Sequence, residues 1–263
     1  MDNYSGHIEE IRTIHQNALH MVAEPTYQIE NISIISTYLG NSRSLRKVIR
    51  AFMTDKDYMN QTDLCAIMST HGSDKGGLNA RHNYTTLYTK LFHSIKSETI
   101  NVFELGLGTN DVTIPSNMGV NGIPGASHYG WEEYFTDGRI FGADIDKKIL
   151  FNTDRIRTYY CDQLSQASIS DMWTDPTLKE IAFDIIIEDG LHSFEANLIF
   201  LENSLYKLKK GGIFIIEDLT QETVLRFEGI KNALIRRYNL QDLCILSIPA
   251  KQSYDNTLLI ILK

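Results

Sequence analysis

Residues 183–189, FDIIIED, place three consecutive isoleucines before two acids, and His192 follows Asp189 by three positions. A continuous apolar run of this kind is typical of a strand buried on both faces, as in a parallel sheet. The next segment, SFEANLIFLENSLYKL, has the apolar spacing of a helix, and GGIFIIED repeats the strand pattern. The stretch therefore predicts a strand, a helix and a second strand parallel to the first.

The same alternation continues on both sides of this stretch. Upstream, TINVFEL, RIFGADI and IRTYYC predict three strands, and GWEEYF predicts the end of a helix. Downstream, FEGIKNALIRRY predicts a helix, and LCILSIP and NTLLIILK predict two strands joined by the turn-rich AKQSYD. Together these elements predict an α/β fold, with a doubly wound, mostly parallel, seven-stranded Rossmann-like sheet and a C-terminal antiparallel hairpin.

The first part of the chain differs from this body. Residues 1–70 show helix-like apolar spacing in IEEIRTIHQNALHMV, SLRKVIRAFM and LCAIMS, without an obvious strand and without a catalytic constellation. We therefore expect an N-terminal helical extension over residues 1–70 that acts as a cap or an oligomerisation surface. Residues 71–263 would form the main domain, and we expect a homo-oligomer.

Composition limits the class of protein. The chain has 263 residues, is 43% hydrophobic and has no stretch near the roughly 20 apolar residues of a membrane span. It begins without the basic and apolar regions of a signal peptide, so we expect a cytoplasmic protein with no membrane span. A net charge of −8 argues against a nucleic-acid partner. The three cysteines, Cys65, Cys161 and Cys244, are far apart and odd in number, which predicts buried free thiols.

Acidic residues stand at or just beyond the ends of the predicted strands. They are Glu104, Asp144, Asp162, Asp189, Glu217 and Asp218. Open α/β sheets bind their ligands beyond the carboxyl ends of the strands. We therefore expect these six carboxylates to lie at one edge of the sheet and to mark the functional site.

The segment FELGLGTN indicates which kind of ligand is bound there. Gly106 and Gly108 permit a tight turn, and Glu104 can accept a hydrogen bond from an amine or hydroxyl of a ligand. The third glycine of a dinucleotide fingerprint is missing, and a long loop follows instead of a helix. Asp144, 40 residues after Glu104 (144 − 104), can bind both ribose hydroxyls. These features predict a nucleoside with a charged tail and no phosphate, such as S-adenosylmethionine.

Several separated motifs resemble one family. FELGLGTN, GASHYGWEEYF, RIFGADID, YYCDQ and FDIIIEDGLHSFEANLIFLENSLYKLKKGGIFIIEDL occur in the same order as in metal-dependent, S-adenosylmethionine-dependent sugar O-methyltransferases of macrolide glycosides and bacterial glycans. The chain resembles bacterial capsule-modification methyltransferases, including phosphoramidate methyltransferases, more loosely. The resemblance covers roughly residues 70–220 and implies a class I methyltransferase fold.

The resemblance also implies roles for the acids after the fourth and fifth strands. Asp189, Glu217 and Asp218 would hold a divalent cation, and His192 would be the catalytic base. Converging carboxylates repel one another unless a cation lies between them, and oxygen ligands favour Mg²⁺, then Mn²⁺ or Ca²⁺. Glu188, one residue before Asp189, is expected on the opposite face of the strand and outside this chemistry.

Two further segments would contact the cofactor according to the resemblance. Asp162 and Gln163 match the pair that contacts adenine. The segment GSDKGGLNARHNYTTLY would fold over the cofactor, near its methionine carboxylate or near the acceptor. Polar and aromatic side chains crowd this segment: Asp74, Lys75, His82, Tyr84 and Tyr88.

The most direct prediction is therefore an O-methyltransferase acting on a hydroxyl of a sugar, glycan or nucleotide-linked acceptor, with S-adenosylmethionine and a divalent cation as cofactors. Methyl transfer to a phosphate or phosphoramidate oxygen in capsule biosynthesis is a variant of it. An NAD-dependent oxidoreductase is disfavoured by the missing third glycine. A non-catalytic binding protein is disfavoured because His192 and the acids occur together.

Overall fold

The computed structural model describes residues 45–77, 81–250 and 255–263. Its seven-stranded sheet has the order β3-β2-β1-β4-β5-β7-β6. The strands are β1 (Asn101–Leu105), β2 (Arg139–Asp144), β3 (Ile156–Tyr160), β4 (Phe183–Glu188), β5 (Leu208–Ile216), β6 (Asp242–Ser247) and β7 (Thr257–Leu262). Strands β1 to β5 are parallel, and β7 is antiparallel to both β5 and β6. The predicted fold class is confirmed.

Helices cover both faces of the sheet. They are α1 (Leu45–Thr54), α2 (Asp63–His71), α3 (Tyr84–Phe92), α4 (Ala126–Tyr134), α5 (Gln166–Trp173), α6 (Phe194–Ser204) and α7 (Gln221–Tyr238). Helices α1 to α4 share one apolar cluster with the sheet, and α5 to α7 share the other. In β4, Ile185 and Ile187 belong to the first cluster and Ile186 to the second. This alternation explains why an uninterrupted isoleucine run is needed here.

The described part of the N-terminal region packs directly on the sheet. Helices α1 and α2 form where SLRKVIRAFM and LCAIMS predict them. Phe52 of α1 and Met68 of α2 lie in the same buried cluster as Val102 of β1. Residues 1–44, which include the predicted helix IEEIRTIHQNALHMV, lie outside the described residues. The domain boundary at residue 70 and the self-association stay predictions.

Two details of the fold go beyond the sequence patterns. The last two strands pair antiparallel, as predicted, but β7 lies between β5 and β6. Helix α5 was not predicted; the Ser165 side chain caps it by accepting a hydrogen bond from the Ser168 N–H.

Cys65, Cys161 and Cys244 are free and buried, as expected. No helix among the described residues is long and apolar enough to cross a bilayer.

The strand order reverses between β1 and β4. From β1 the chain moves outward to β2 and β3, and then returns to β4 on the other side of β1. Backbone hydrogen bonds hold the strand ends close together at this point. The Gly106 N–H donates to the Ala143 carbonyl at 2.8 Å, and the Asp189 N–H donates to the Leu105 carbonyl at 2.9 Å. A crevice at such a reversal is where α/β sheets bind ligands.

Gly106 is required for this close approach. Its φ is +98°, and a Cβ atom added there would lie 2.0 Å from the Asp189 carbonyl oxygen. We expect Gly106→Ala to lower the free energy of unfolding by about 2 to 5 kcal/mol, because backbone strain and overpacking add. Urea denaturation measures the loss.

Gly119→Ala is the matched control. Gly119 also has a positive φ, +72°, but no described atom lies within 4 Å of the point that a Cβ atom would occupy there. Only the left-handed backbone is penalised at this position, which costs about 1 to 2 kcal/mol. Equal losses in the two variants would show that the contact with Asp189 is unimportant.

Candidate active site

A cavity of about 460 Å³ lies beyond the carboxyl ends of β1, β2, β3 and β4. Most of the predicted site residues line it: Asp74, Lys75, Gly106, Gly108, Asp144, Asp162, Gln163, Asp189, His192 and Asp218. The other three, Glu104, Tyr84 and Glu217, contact lining residues from the protein interior. The structure thus brings all the predicted residues to one region, in two layers.

Asp144 shapes the glycine turn after β1. One carboxylate oxygen accepts a hydrogen bond from the Leu107 N–H at 2.8 Å, and the other accepts from the Asp146 N–H at 2.8 Å. The side chain is buried at the cavity wall, and burial raises the pKa of its carboxyl group. Helix α4 does not follow the turn directly: it begins at Ala126, after a long loop, although its first residues, Ala126 and Ser127, line the cavity.

Gln163 supports the turn after β4. Its amide nitrogen donates to Glu188 Oε1 at 2.7 Å, and its amide oxygen accepts from the Leu191 N–H at 2.9 Å. Asp162, beside it, is half-buried and accepts a hydrogen bond from the Leu164 N–H at 3.0 Å. Both residues reach the cavity, but the Gln163 amide is already engaged by the protein itself.

Glu188 is part of the same support. Its Oε1 accepts hydrogen bonds from the Gly190 N–H at 3.0 Å and from Gln163. The side chain is fully enclosed, and burial raises the pKa of its carboxyl group to about 7. Strand alternation predicts that Glu188 has no role at the site. Its hydrogen bonds instead stabilise the turn that carries Asp189.

The ammonium group of Lys75 lies among three carboxylates. Its Nζ forms ion pairs with Asp189, with Glu217 at 2.7 Å and with Glu104 at 3.5 Å. Only 3% of the side chain is exposed. Burial alone would lower the pKa of Lys75, but the surrounding negative charges raise it well above its usual value. Lys75 therefore acts as an internal cation, and its contact with the cofactor or the acceptor stays a prediction.

Glu104 is turned inward as well. One of its oxygens accepts a hydrogen bond from Ser127 Oγ at 2.6 Å, and the other accepts from the indole N–H of Trp131. Its side chain is fully buried. Glu104 thereby fixes the start of α4 and helps to hold Lys75, and its direct contact with the cofactor stays a prediction.

Two tyrosines of α3 hold the acids that follow β5. The Tyr88 hydroxyl donates to Glu217 Oε1 at 2.6 Å, and the Tyr84 hydroxyl donates to Asp218 Oδ1 at 2.6 Å. Because Lys75 occupies the other oxygen of Glu217, both oxygens of that carboxylate have partners. Asp218 Oδ2 instead faces the cavity side. Burial raises the pKa of both carboxyl groups.

Asp189, His192 and Asp218 form the group that fits a cation. Their ligand atoms lie within 4.8 Å of one another. His192 Nε2 is 3.9 Å from Asp189 Oδ1 and 4.0 Å from Asp218 Oδ2. The two carboxylate oxygens are suitable ligands for a divalent metal, and the imidazole nitrogen lies beside them. Of the three predicted metal ligands, Asp189 and Asp218 converge, whereas Glu217 is turned towards Lys75 and Tyr88.

The backbone at this group is strained. His192 has a φ of +55° and Asp218 a φ of +54°, in the left-handed region that residues other than glycine seldom adopt. Each such conformation costs about 1 to 3 kcal/mol and persists where the surroundings impose it. Here it directs both side chains to the same point, which is consistent with a functional site.

Residues near the end of the chain complete the site, and no sequence pattern indicated them. The Asn256 side-chain oxygen contacts His82 Nδ1 at 3.1 Å, and the Asp255 carbonyl oxygen lies 3.3 Å from the Tyr84 hydroxyl oxygen. Polar residues after a turn-rich segment have no local pattern that predicts such contacts. Only the packing of β7 beside β5 brings them there.

The order of the sheet and the position of the cavity define the class I methyltransferase fold. No family model matches the chain. A solved structure with this fold, the MycE methyltransferase from the mycinamycin biosynthetic pathway in complex with Mg and SAH, superposes with a TM-score of 0.58. The two chains are 20% identical, and the superposition covers 78% of this chain and 55% of that one.

Sequence comparison adds two curated relatives from Streptomyces olivaceus. The 8-demethyl-8-alpha-L-rhamnosyl tetracenomycin-C 2'-O-methyltransferase is 30% identical over 167 residues, which are 63% of this chain and 40% of that protein. The 8-demethyl-8-(2-methoxy-alpha-L-rhamnosyl)-tetracenomycin-C 3'-O-methyltransferase is 33% identical over 162 residues, 60% of this chain and 37% of that protein. The expected similarity to sugar O-methyltransferases is confirmed, and the match spans less than half of each relative's length.

The ion pairs of Lys75 can be tested by substitution. Lys75→Met leaves Glu104, Asp189 and Glu217 without their ammonium partner, and unpairing buried charges costs about 3 to 5 kcal/mol. We expect a loss of that size in the free energy of unfolding, measured by urea denaturation at neutral pH in the presence of chelator.

Lys90→Met provides the comparison. Lys90 is 46% exposed and pairs with Asp57 at 2.9 Å. Exposed pairs contribute about 1 kcal/mol or less. A Lys75→Met variant as stable as Lys90→Met would contradict the role of Lys75 as an internal cation.

Proposed function

We propose that this protein transfers a methyl group from S-adenosylmethionine to a sugar hydroxyl of a small-molecule glycoside, with the help of a divalent cation. One observation carries the proposal. A single cavity joins the glycine turn and Asp144 to the group formed by Asp189, His192 and Asp218. The proposed nucleoside site and the proposed cation site would thus share one space.

The donor would occupy the part of the cavity near β1 and β2. The glycine turn at residues 106–108 would line the donor site, Asp144 would bind the ribose hydroxyls, and Asp162 would contact the adenine. The cavity volume lies within the range of about 300 to 1,000 Å³ usual for small-molecule sites. When bound, S-adenosylmethionine supplies an electrophilic methyl group.

The cation would be held where Asp189 Oδ1 and Asp218 Oδ2 converge. When bound, a divalent cation supplies the positive charge that lowers the pKa of a hydroxyl beside it. Carboxylate oxygens favour Mg²⁺. Glu217 would join these two ligands only if Lys75 or Tyr88 released one of its oxygens.

His192 would act as the general base. Its Nε2 lies near the two carboxylate oxygens and lines the cavity, so it can receive the proton of the acceptor hydroxyl. The distances are 3.9 Å to Asp189 Oδ1 and 4.0 Å to Asp218 Oδ2, the proposed cation ligands, so a hydroxyl beside the cation would lie near Nε2. The left-handed backbone conformation of His192 directs its side chain towards these two carboxylates.

The acceptor class rests on the relatives, which are named for O-methylation of rhamnosyl groups on tetracenomycin. Nothing in these comparisons supports capsule or polysaccharide modification or a phosphoramidate acceptor. The oxidoreductase alternative lacks the third glycine of the dinucleotide fingerprint and a helix that follows the glycine turn directly. A glycoside hydroxyl is therefore the acceptor we propose.

The direct test uses the full chain with radiolabelled S-adenosylmethionine and a panel of rhamnosides, other glycosides and sugar nucleotides, with and without chelator. We expect label transfer to at least one glycoside and its loss on chelation. Transfer that continues after exhaustive chelation would overturn the role of the cation. Oxidation of an acceptor with reduction of NAD would favour the oxidoreductase instead.

Asp144→Asn should weaken the binding of S-adenosylhomocysteine. The charged acceptor for the ribose hydroxyls is lost, and a hydrogen bond to a charged group contributes about 1.5 to 3 kcal/mol, or roughly 10- to 150-fold in affinity. Titration calorimetry measures the change. Asp154→Asn, at an exposed position, is the control, and equal affinities in the two variants would exclude the ribose assignment.

His192→Ala and Asp189→Asn should differ in how they fail. His192→Ala should reduce the rate by about 10²- to 10⁴-fold, the usual contribution of a general base, while S-adenosylhomocysteine still binds. Asp189→Asn should lose activity that excess metal partly restores. His93→Ala, which removes an exposed imidazole, is the control. A rate for His192→Ala close to that of the control would contradict the base assignment.

A further inference from the structure

A chain of hydrogen bonds fixes the orientation of two asparagine side chains behind the site. Asn83 Nδ2 donates to the carbonyl of Tyr58 at 3.2 Å and to that of Pro249 at 3.0 Å. Asn83 Oδ1 must therefore be the acceptor for Asn256 Nδ2, at 2.6 Å. Asn256 Nδ2 also donates to the Ile248 carbonyl, at 2.8 Å. Because backbone carbonyls only accept, neither amide can be reversed.

This chain determines the proton position on His82. Asn256 uses its amide nitrogen for Asn83 and Ile248, so its Oδ1 is an acceptor. His82 Nδ1, 3.1 Å from that oxygen, must then carry the hydrogen. In the neutral imidazole, Nε2 consequently holds a lone pair and no proton.

The Nε2 atom points at the candidate cation site. It lies 3.4 Å from Asp218 Oδ2, the oxygen that Tyr84 does not bind. His82 is 2% exposed, and Nε2 has no hydrogen-bond partner among the described residues. Stacking on the Tyr84 ring, with 4.8 Å between centroids, holds the imidazole in place. A lone pair facing a carboxylate oxygen is repulsive, and either a proton on Nε2 or a metal cation bound by both atoms removes that repulsion.

We propose that His82 Nε2 is a further ligand of the divalent cation, which it shares with Asp218. The inference rests on the cation site of the proposed function. Metal-binding histidines usually donate their other ring N–H to an oxygen, and Asn256 Oδ1 provides that oxygen here. The ligand atoms then include imidazole nitrogen as well as carboxylate oxygen.

A mixed nitrogen and oxygen set changes which cation is preferred. Mg²⁺ and Ca²⁺ favour oxygen ligands, whereas imidazole suits first-row transition metals. The site should therefore prefer Mn²⁺ to Mg²⁺, and His82 should be the residue that causes this preference. The cation would also connect the segment before α3 to the end of β5.

The first experiment measures metal affinity without relying on turnover. Mn²⁺ is titrated into chelator-treated full-length protein, and free Mn²⁺ is followed by electron paramagnetic resonance. We expect His82→Gln to weaken Mn²⁺ binding on the order of 10- to 100-fold. Competition with Mg²⁺ should show a much smaller loss of Mg²⁺ affinity. His93→Gln makes the same change at an exposed imidazole and should bind Mn²⁺ as the wild type does.

A second measurement remains informative if His82→Gln folds poorly. In Mn²⁺-loaded His192→Gln protein, pulsed electron paramagnetic resonance should still detect coupling to an imidazole nitrogen. Histidine labelled with ¹⁵N identifies the residue type. Absence of this coupling in His192→Gln would overturn the proposal.

The outcomes separate this inference from the function on which it rests. If the wild type binds Mn²⁺ and His82→Gln binds it equally well, His82 is not a ligand, and the cation site itself stands. If the wild type binds neither Mn²⁺ nor Mg²⁺, the cation dependence of the proposed function fails together with this inference.

Discussion

The ammonium group of Lys75 organises the candidate site. It pairs with carboxylates that follow or end three neighbouring strands, Glu104 of β1, Asp189 after β4 and Glu217 after β5. Three acids at adjacent strand ends would repel one another in a buried setting, and one enclosed cation offsets that repulsion. The Lys75 carbonyl accepts a hydrogen bond from the Thr85 hydroxyl at 2.7 Å, so the same residue also positions α3. One residue consequently holds both the acids, through its side chain, and the helix above them, through its backbone.

The periodicity of helix α3 places two tyrosines against the acids that follow β5. Tyr84 and Tyr88 are four residues apart and lie on one face of the helix, and their hydroxyls reach Asp218 and Glu217 respectively. One oxygen of Asp218 and one of Glu217 are thereby bound by the protein itself. One oxygen of Asp189 and one of Asp218 remain directed at His192. The interior contacts thus decide which oxygens are available to a ligand.

The sequence predicts the sheet and the region of the site well, because both depend on local patterns. Apolar runs such as Ile185–Ile187 mark strands, and acids just beyond them must lie at one edge of a parallel sheet. Helix α5 was missed because its segment, QASISDMW, is only eight residues long, which is too short to show a clear helical repeat. The roles of Lys75, Glu104 and Glu188 were not predictable, because they depend on side-chain contacts between distant segments.

The position of β7 has a consequence for how the chain folds. This strand follows β6 in sequence but lies inside the sheet, where it supplies the pairing of β6 and covers the edge of β5. Until residues 257–262 are in place, the apolar edge of β5 is open, and unprotected edges of this kind promote aggregation. Pairing across the intervening α7 and β6 is also non-local, which slows folding. During synthesis, the interior of the sheet therefore cannot close until β7, one of the last strands to be made, is in place.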